Sequence, residues 1–176
     1  MSELPPVTLV PFTEDLLPAV QVWFAHAEVQ RWLGGPDWPA RALRLRGHGI
    51  GEIFRGRRVL RDHTWVALDT DGKPVALIGG DVYTSGPELG PAHAAGNGSE
   101  MGFAYVVDPG RWRQGYGTAT LLALIAHPAV ADVVLFTAGI EPENAASTRC
   151  AAAAGFHPDD PAPDEEGIVH HLLRRG

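Results

Sequence analysis

The stretch from Val106 to Ala119 has the composition of an anion-binding turn. Apolar residues typical of a strand lead through a basic, glycine-rich turn into residues typical of a helix. The first backbone N–H groups of a helix have no partner within it, and the helix dipole favours an anion beside them. Gly115 and Gly117 allow a phosphate to approach the backbone closely, and Arg111 and Arg113 can add charge-assisted contacts. The segment therefore predicts a pyrophosphate site.

The turn alone does not identify the ligand. A dinucleotide-binding fingerprint requires G-x-G-x-x-G, and a phosphate-binding P-loop requires Gly-Lys followed by Ser or Thr. Neither pattern occurs in the turn. An exposed turn made pliable by glycine, with two solvated arginines, is the alternative.

A second segment, from Glu143 to Phe156, makes the pattern specific. Asn144 and Ser147 lie three residues apart at the start of a predicted helix, and Gly155-Phe156 follows its end. Together with Trp112–Gly117, which precedes them, these residues resemble the GNAT superfamily of N-acetyltransferases. The pyrophosphate loop of that family has the pattern R/Q-x-x-G-x-G/A. Trp112 departs from the strict pattern and is similar to the branch that acetylates the N-termini of ribosomal proteins, the Rim-type enzymes.

The resemblance implies acetyl-CoA as the cofactor and a set of residues that bind it. The backbone of Val106 and Val107 would pair with the pantetheine arm, which Asn144 would also contact, and the backbone amides of the loop would hold the pyrophosphate. The expected coenzyme A contacts are Val106, Val107, Trp112, Arg113, Gln114, Gly115, Tyr116, Gly117, Thr118, Asn144 and Ser147.

Acylation of an amine requires a base that removes a proton from it. Glu100 is the first candidate, since it begins the strand that leads into the loop and Glu100-Met101-Gly102-Phe103 resembles the corresponding segment of several family members. Asp81, in the preceding predicted hairpin, is the second candidate. An ordinary glutamate at a strand edge is the alternative for Glu100.

The acid that protonates the leaving thiolate has no clear candidate. Many relatives have a tyrosine seven residues after the asparagine, but that position is Ala151 here. Solvent is one possible donor. The side chains that could replace the tyrosine, without an argument from spacing for any of them, are Tyr105, Tyr116, Cys150, His157, His170 and His171.

The acceptor side is predicted from a resemblance of Val29–Gly35 to the cap of aminoglycoside 6'-N-acetyltransferases and Rim-type enzymes. Carboxylates in the acidic loop 159–166 would suit a small cationic, aminoglycoside-like amine, although a solvated acidic turn is the simpler interpretation. The expected substrate-binding residues are Trp32, Trp38, Tyr83, Asp164 and Glu165. The predicted function is direct acetyl transfer to a primary amine in a ternary complex. A Rim-type protein acetyltransferase and a non-catalytic acyl-CoA-binding domain are the alternatives.

Hydrophobic periodicity and turn residues predict the elements that position these groups. Thr13 is expected to cap a helix, residues 38–61 to contain some helix, and residues 84–98 to form a loop. The other expected helices are Glu28–Leu33, Gly115–His127 and Glu143–Ala153, and the expected strands are Val7–Phe12, His63–Leu68, Val75–Tyr83, Glu100–Val107, Asp132–Ala138, one beginning at Phe156, and Ile168–Leu173.

These elements predict an α/β (α+β) fold in a single domain over residues 1–176. The family resemblance implies a mixed, mostly antiparallel central sheet of six to seven strands. It also implies helices on both faces and a splayed strand pair that binds acyl-CoA.

Composition limits the possible partners. The chain has 176 residues and a net charge of −7, which disfavours a nucleic-acid-binding surface. Cys150 is the only cysteine, so no internal disulfide is possible and no cysteine pair indicates a metal site. No signal peptide or membrane span is apparent. We expect a cytoplasmic monomer or homodimer that binds no metal, nucleic acid or membrane.

Overall fold

The computed structural model describes residues 2–85 and 98–176. The predicted loop over residues 84–98 lies, apart from its ends, outside the described residues. The chain divides into two compact units. The first unit comprises Met1–Arg46, Thr64–Ile78 and Tyr105–Ala126, and the second comprises Gly47–His63, Gly79–Ala104 and His127–Gly176. The expectation of one domain stays a prediction.

The strands form one mixed sheet in the order β1-β3-β4-β5-β6-β8-β7, and β2 pairs with β3. Strands β5 and β6 are parallel, whereas β1–β3, β2–β3, β6–β8 and β7–β8 are antiparallel. The described residues form eight strands, two of which have only two residues each. The bounds are β1 Thr8–Pro11, β2 Ile53–Phe54, β3 Arg57–Leu68, β4 Pro74–Thr84, β5 Ser99–Val107, β6 Val133–Ile140, β7 His157–Pro158 and β8 Val169–Arg174.

Strand β3 begins at Arg57 and not at His63 as predicted. The added residues pair with β2, through Ile53–Arg58 and Phe54–Arg57. The two residues between these strands, Arg55 and Gly56, both have positive φ angles, of 50° and 78°. Positive φ at both central residues is the geometry of a type I′ hairpin turn, for which Asn-Gly or Asp-Gly is the usual sequence signal. Because arginine occupies the first central position of the turn, this hairpin was not predicted from the sequence.

The helices are α1 Leu17–Gln21, α2 Ala27–Trp32, α3 Trp38–Arg44, α4 Tyr116–Ile125 and α5 Ala145–Ala153. The helix predicted after Thr13 is divided, with 3₁₀ turns at Glu14–Leu16 and Val22–Ala25 on either side of α1. Thr13 does precede the first turn, but its side chain makes no capping hydrogen bond. Helix α3 supplies the helix expected within residues 38–61.

Each unit has its own buried apolar residues. In the first unit, the core collects Phe12, Val20, Trp23, Phe24, Val29, Val66, Leu77 and Val106. In the second unit, the rings of Phe103 and Phe156 meet edge to face with centroids 5.7 Å apart, and Phe136 is fully buried. Burial of one such side chain stabilises the folded state by about 1.5–3 kcal/mol. Both units therefore hold rigid strand ends on which a site can be built.

Strands β5 and β6 separate after a short run of pairing. The paired residues run from Ser99–Val133 to Gly102–Thr137, although β5 continues to Val107 and β6 to Ile140. A register shift follows Ser99, where Val134 has no counterpart on β5 and Glu100 pairs with Leu135. Such a bulge changes the direction in which the next side chains point. The splayed pair that the sequence predicted is present, and Glu100 lies directly after the irregularity.

In the described part of the chain, no helix combines the length and the apolar character that crossing a membrane requires.

Candidate functional site

The glycine-rich turn before α4 presents a row of unpaired backbone donors. Gly115 is the N-cap residue of α4 with a φ of 88°, and Arg113 also has a positive φ, of 63°. Within residues 2–85 and 98–176, the six N–H groups from Arg113 to Thr118 donate to no acceptor, and the first N–H after them, that of Ala119, bonds to the Gly115 carbonyl. Consecutive free amides at the start of a ten-residue helix match what a pyrophosphate requires.

Glycine is required at position 115 for two reasons. The positive φ is unfavourable for residues that carry a Cβ. In addition, a Cβ built there would lie 3.0 Å from Pro5 Cδ and 3.1 Å from Leu4 Cδ2. Leu4 and Pro5 therefore leave little room for a side chain at position 115. This close approach fixes the backbone of the predicted phosphate loop.

Arg111 is engaged within the protein and is not a free phosphate ligand. Its Nη2 lies 2.9 Å from Asp69 Oδ2, and its Nη1 donates to the Tyr116 hydroxyl at 3.2 Å. Asp69 also accepts the backbone N–H groups of Asp71 and Lys73. The hydrogen bond from Lys73 is the main cause that holds the pKa of Asp69 below its usual range, and Arg111 adds to it. Of the two predicted arginines, only the exposed Arg113 remains available to an anion.

Trp112 has a structural role at its unusual position. Its indole Nε1 donates to the Val107 carbonyl at 3.0 Å, and its ring meets His26 edge to face with centroids 4.7 Å apart. The indole thus ties the loop back to the end of β5. The Val107 carbonyl therefore already accepts one hydrogen bond within the protein, and its predicted contact with the pantetheine arm stays a prediction.

Asn144 and Ser147 occupy the first turn of α5. Asn144 Oδ1 accepts the N–H of Ser147 at 3.2 Å, and the Asn144 carbonyl accepts the hydroxyl of Thr148 at 3.1 Å. Asn144 is therefore the N-cap of the helix. Its amide NH₂ and the Ser147 hydroxyl have no partner in the described part of the chain. Both groups are therefore available to a ligand. Their contacts with coenzyme A stay a prediction.

A cleft of about 310 Å³ lies within the second unit, and Glu100 lines it. We call it the second-unit cleft. The Glu100 residue is 9% exposed, and its Oε2 lies 2.6 Å from Nη1 of Arg57. Among the described residues, that oxygen has no hydrogen-bond partner of adequate geometry. The lining residues are Phe54, Arg55, Arg57, Tyr83, Glu100, Met101, Gly102, Phe103, Thr137, Gly139 and His170.

Asp81 does not line the second-unit cleft but contacts a residue that does. The Tyr83 hydroxyl donates to Asp81 Oδ2 at 3.3 Å. Burial raises the pKa of the Asp81 carboxyl above its usual range, and the hydrogen bond from Tyr83 offsets part of this rise. Burial, together with the charge of Asp81, raises the pKa of Tyr83 to about 12. Tyr83 therefore stays protonated at neutral pH, and Asp81 orients its hydroxyl.

The acidic loop is largely occupied by contacts within the chain. Asp164 Oδ1 accepts the N–H groups of Glu166 and Ile168, and its Oδ2 lies 2.7 Å from Nε2 of His170. The N–H of Ile168 is the main cause that lowers the pKa of Asp164, and His170 contributes. Glu165 is exposed and, within the described ranges, contacts no charged group. Asp164 thus organises the turn and holds His170, which itself lines the cleft.

Trp32 and Trp38 belong to the first unit and do not line the second-unit cleft. The Trp38 ring stacks on the buried Phe24 ring with centroids 5.4 Å apart. The Arg31 guanidinium lies 4.3 Å from the centroid of the Trp32 ring. Trp38 therefore packs α3 against the core of the first unit, and its role in binding a substrate stays a prediction.

The residues that could protonate the leaving thiolate lie in different parts of the structure. Ala151 is buried, so no neighbouring side chain replaces the tyrosine of relatives at that point of α5. His171 is buried, and burial lowers the pKa of its imidazole. Tyr116 is held by Arg111 in the first unit, and His157 is exposed. Of the predicted candidates, His170 lines the second-unit cleft.

Sequence analysis missed Phe54, Arg55 and Arg57, which come from the β2–β3 hairpin. Their side chains line the second-unit cleft beside Glu100. An arginine followed by glycine is a weak turn signal, and strand β2 has only two residues, so no periodicity marks it. The ion pair between Arg57 and Glu100 joins residues far apart in the chain, for which a single sequence contains no signal.

The family follows from a domain-level match. The model of the acetyltransferase (GNAT) domain matches residues 7–157. The chain belongs to this acetyltransferase family. A curated relative, the uncharacterized N-acetyltransferase YfmK of Bacillus subtilis (strain 168), is 38% identical over 69 residues, which are 39% of this chain and 47% of YfmK. The match therefore spans about half the length of that relative.

Solved structures show the same fold. AAC(6')-Ib in complex with paromomycin and acetyl-CoA has a TM-score of 0.69 and 19% identity, covering 97% of this chain and 94% of that one. An aminoglycoside N(6')acetyltransferase from Legionella pneumophila has a TM-score of 0.65 and 13% identity, covering 99% of this GNAT chain and 94% of its own. The matches confirm the predicted family and fold class. At these identities they establish the fold alone.

Proposed function

We propose that this GNAT domain transfers an acetyl group from acetyl-CoA to the primary amine of a small molecule, by direct attack in a ternary complex. The observation that carries the proposal is the Glu100 carboxylate. It is nearly buried and lines a cleft of about 310 Å³, where its Oε2 forms an ion pair with Arg57 Nη1 at 2.6 Å but, among the described residues, accepts no hydrogen bond of adequate geometry. A buried acceptor in that state stabilises a ligand N–H that reaches it.

The loop before α4 fits the donor. The row of free N–H groups from Arg113 to Thr118 supplies hydrogen-bond donors for a pyrophosphate, and the positive end of α4 adds to the attraction. Gly115 keeps the backbone accessible, and the exposed Arg113 can add a charged contact. Bound acetyl-CoA supplies an activated acetyl group as a thioester, so an uncharged amine displaces the thiolate without a further activating group.

The chain contributes the proton transfers. Glu100 would take the proton of the acceptor ammonium, directly or through one water, and Arg57 holds that carboxylate in the second-unit cleft. Tyr83, whose protonated hydroxyl donates to Asp81, can accept a hydrogen bond from the acceptor amine. His170, oriented by Asp164, lines the same cleft and is the proposed route for returning a proton to the leaving thiolate.

Aminoglycoside-like amines are the first acceptors to test. They are what the structural neighbours named above bind, and a small cationic amine meets the requirement that Glu100 sets. A thiol-release assay with acetyl-CoA over a panel of amines, including kanamycin, measures the activity, and mass spectrometry identifies the N-acetylated product. Thiol release that does not depend on any amine, or binding of acetyl-CoA with no release, contradicts the proposal in favour of a binding domain without turnover.

A further inference from the structure

The charged groups of the second-unit cleft comprise two arginines and one carboxylate. Arg55, Arg57 and Glu100 line it together. The Arg57 side chain is 40% exposed even though its Nη1 lies 2.6 Å from Glu100. Guanidinium has five N–H donors in a planar fork, so this single contact leaves most of them free. The lining therefore favours a ligand with an anionic group and disfavours a polycation.

Arg55 adds a second guanidinium at the rim of the cleft. Its only described ionic partner is Glu166, at 3.5 Å, and both side chains are more than half exposed. Exposed pairs of this kind contribute little, because water screens the charges and both side chains remain mobile. Arg55 is thus free to exchange Glu166 for an anionic group of a ligand.

The backbone at Arg55 supports a role for this side chain. Its φ of 50° places a long, charged residue in the left-handed conformation at the first central position of the hairpin turn. Asparagine, aspartate or glycine would form this turn with less strain. Strained residues of this kind concentrate at functional sites, where the side chain is needed in a particular place.

An aromatic surface lies beside the arginines. Phe54 is 53% exposed, and its ring centroid lies 6.2 Å from that of Tyr83. Both residues line the second-unit cleft. A ligand that covers this exposed apolar surface removes it from water, which favours binding. An acceptor with an apolar or aromatic group would therefore gain binding energy here that a polyhydroxylated amine would not.

We infer that the acceptor is a zwitterionic amine of the amino-acid type with an apolar or aromatic side chain. Its carboxylate binds Arg57 and Arg55, its amino group faces Glu100, and its side chain covers Phe54 and Tyr83. The internal pair of Arg57 with Glu100 is exchanged for two pairs with the ligand, so no charge is left without a partner. The inference rests on the proposed function and specifies its substrate class.

The transfer itself conserves atoms and charge. Glu100 takes one proton from the ammonium group, and the nitrogen lone pair forms a bond to the carbonyl carbon of the acetyl group. The carbon–sulfur bond breaks, and its electron pair leaves with the sulfur. The nitrogen then loses its second proton, and the thiolate gains one by way of His170, so coenzyme A leaves as the thiol. The product is an N-acetyl amino acid whose carboxylate is unchanged. Loss of the positive charge removes its attraction to Glu100, which favours release.

The test compares acceptors that differ only in the carboxylate. L-phenylalanine and 2-phenylethylamine are assayed by thiol release with the parent protein and with Arg57→Gln, Arg55→Gly and the control Arg174→Gln. Arg174 is an exposed arginine at the end of β8 and does not line the cleft. Leucine and 3-methylbutylamine provide a second matched pair. The readout is the ratio of kcat/KM between the members of each pair, which cancels effects of a variant on the amine or on Glu100.

We expect Arg57→Gln to lower the ratio of amino acid to amine by about tenfold or more, as the loss of a charged hydrogen bond predicts. Arg55→Gly should lower it by a smaller factor. Because glycine suits the turn, this variant should have a melting temperature at least equal to that of the parent, so its loss of discrimination cannot be attributed to misfolding. Arg174→Gln should leave the ratio unchanged.

Three results would overturn the inference. If the parent acetylates amines with no preference for the carboxylate and both cleft variants keep that ratio, carboxylate recognition is absent while the proposed function stands. If kanamycin is the better acceptor and Arg57→Gln improves it further, the cleft selects polycations. If acetyl-CoA binds but no amine of any class is acetylated, the proposed function fails, and the inference fails with it.

Discussion

The phosphate loop and the second-unit cleft differ in what remains unpaired. In the loop, the backbone supplies the binding groups, and the N–H groups from Arg113 to Thr118 have no acceptor among the described residues. In the cleft, side chains supply the binding groups, and these groups already contact each other. The pairs are Arg57 with Glu100, Arg55 with Glu166, His170 with Asp164, and Tyr83 with Asp81. We therefore expect the loop to bind an anion through groups that are already free, and the cleft to exchange internal contacts for ligand contacts.

Because of this difference, we expect the loop to set the affinity for the acetyl donor and the cleft to set the selectivity for the acceptor. A preformed row of N–H groups binds any ligand with the same pyrophosphate equally well, because backbone donors do not vary with the side chains. A cleft of paired charges admits only a ligand that replaces each broken pair, since a charge left without a partner in a buried site is strongly unfavourable. We therefore expect substitutions in the loop to change donor binding and substitutions in the cleft to change acceptor choice.

The largest expected effect is at Gly115. Gly115→Glu places a side chain at a positive φ, against Pro5 and Leu4, and adds a negative charge among the free amides. Acetyl-CoA binding should be abolished, which isothermal titration calorimetry measures directly. Gly72 is a suitable control, because it has a positive φ of 76° and no atom within 4 Å of an added Cβ. If Gly115→Glu binds acetyl-CoA as tightly as the parent, the donor site lies elsewhere.

The next effect is expected at Glu100. A general base contributes about 10²–10⁴-fold to the rate, so Glu100→Gln should lower kcat by that order and leave acetyl-CoA affinity nearly unchanged. The deficit should shrink at high pH, where more of the acceptor amine is already neutral. Pre-steady-state and steady-state thiol release over a pH series measure it, with the exposed Glu52→Gln as the control. A large loss in Asp81→Asn with an active Glu100→Gln would move the base to β4.

A smaller effect is expected in the acidic loop. If its carboxylates recognise a cation, Asp164→Asn with Glu165→Gln should raise the acceptor KM and flatten its salt dependence, since exposed charges are screened over about 10 Å at 0.1 M salt. Separate single variants distinguish the two positions, because Asp164 also holds His170 while Glu165 is exposed. Unchanged acceptor kinetics in both single variants would show that these carboxylates do not take part in acceptor binding.

A spectroscopic effect tests the pairing of Tyr83 with Asp81. Ultraviolet absorbance of the phenolate should show one tyrosine that ionises near pH 12, and Tyr83→Phe should remove it. Because burial is the larger cause, Asp81→Asn should lower the pKa of Tyr83 below 12 without returning it to 10. The raised pKa means that Tyr83 favours the folded state below pH 10 and that this contribution is lost as pH rises through 12. Identical titrations of parent and variant would exclude the contact.

The smallest effect concerns stability near the loop. Since the pKa of Asp69 is lowered on folding, its ionised form stabilises the first unit above the pKa of the unfolded chain, and that contribution disappears as pH falls through the lower folded value. Asp69→Asn should therefore be less stable than the parent at neutral pH, with the difference narrowing at acid pH. Denaturant unfolding at several pH values measures this. A constant difference across the pH range would contradict the role of ionisation.

The strand, turn and helix around the predicted phosphate loop could be predicted from sequence, because this geometry depends on the backbone. Two glycines, a helix start and a preceding strand occupy neighbouring positions, and the resemblance to a known family added Asn144 and Ser147. The second-unit cleft was only partly predictable, through Glu100 and Tyr83. Arg57 approaches Glu100 only when β3 is extended by the hairpin, and the hairpin uses an arginine where the usual turn residues are absent. The ion pair of Arg111 with Asp69 was not predicted, because Asp69 lies in a turn distant in sequence.

The β2–β3 hairpin has a consequence for how this enzyme could diversify. Three side chains that line the second-unit cleft, Phe54, Arg55 and Arg57, come from one short surface segment. Selection can exchange that segment as a module while β5, with Glu100 and the lead into the phosphate loop, is left intact. Homologues that keep the same donor-binding residues could then differ in acceptor preference through a few substitutions in this hairpin. Grafting the hairpin between homologues is accordingly a practical route to new acyl-acceptor preferences.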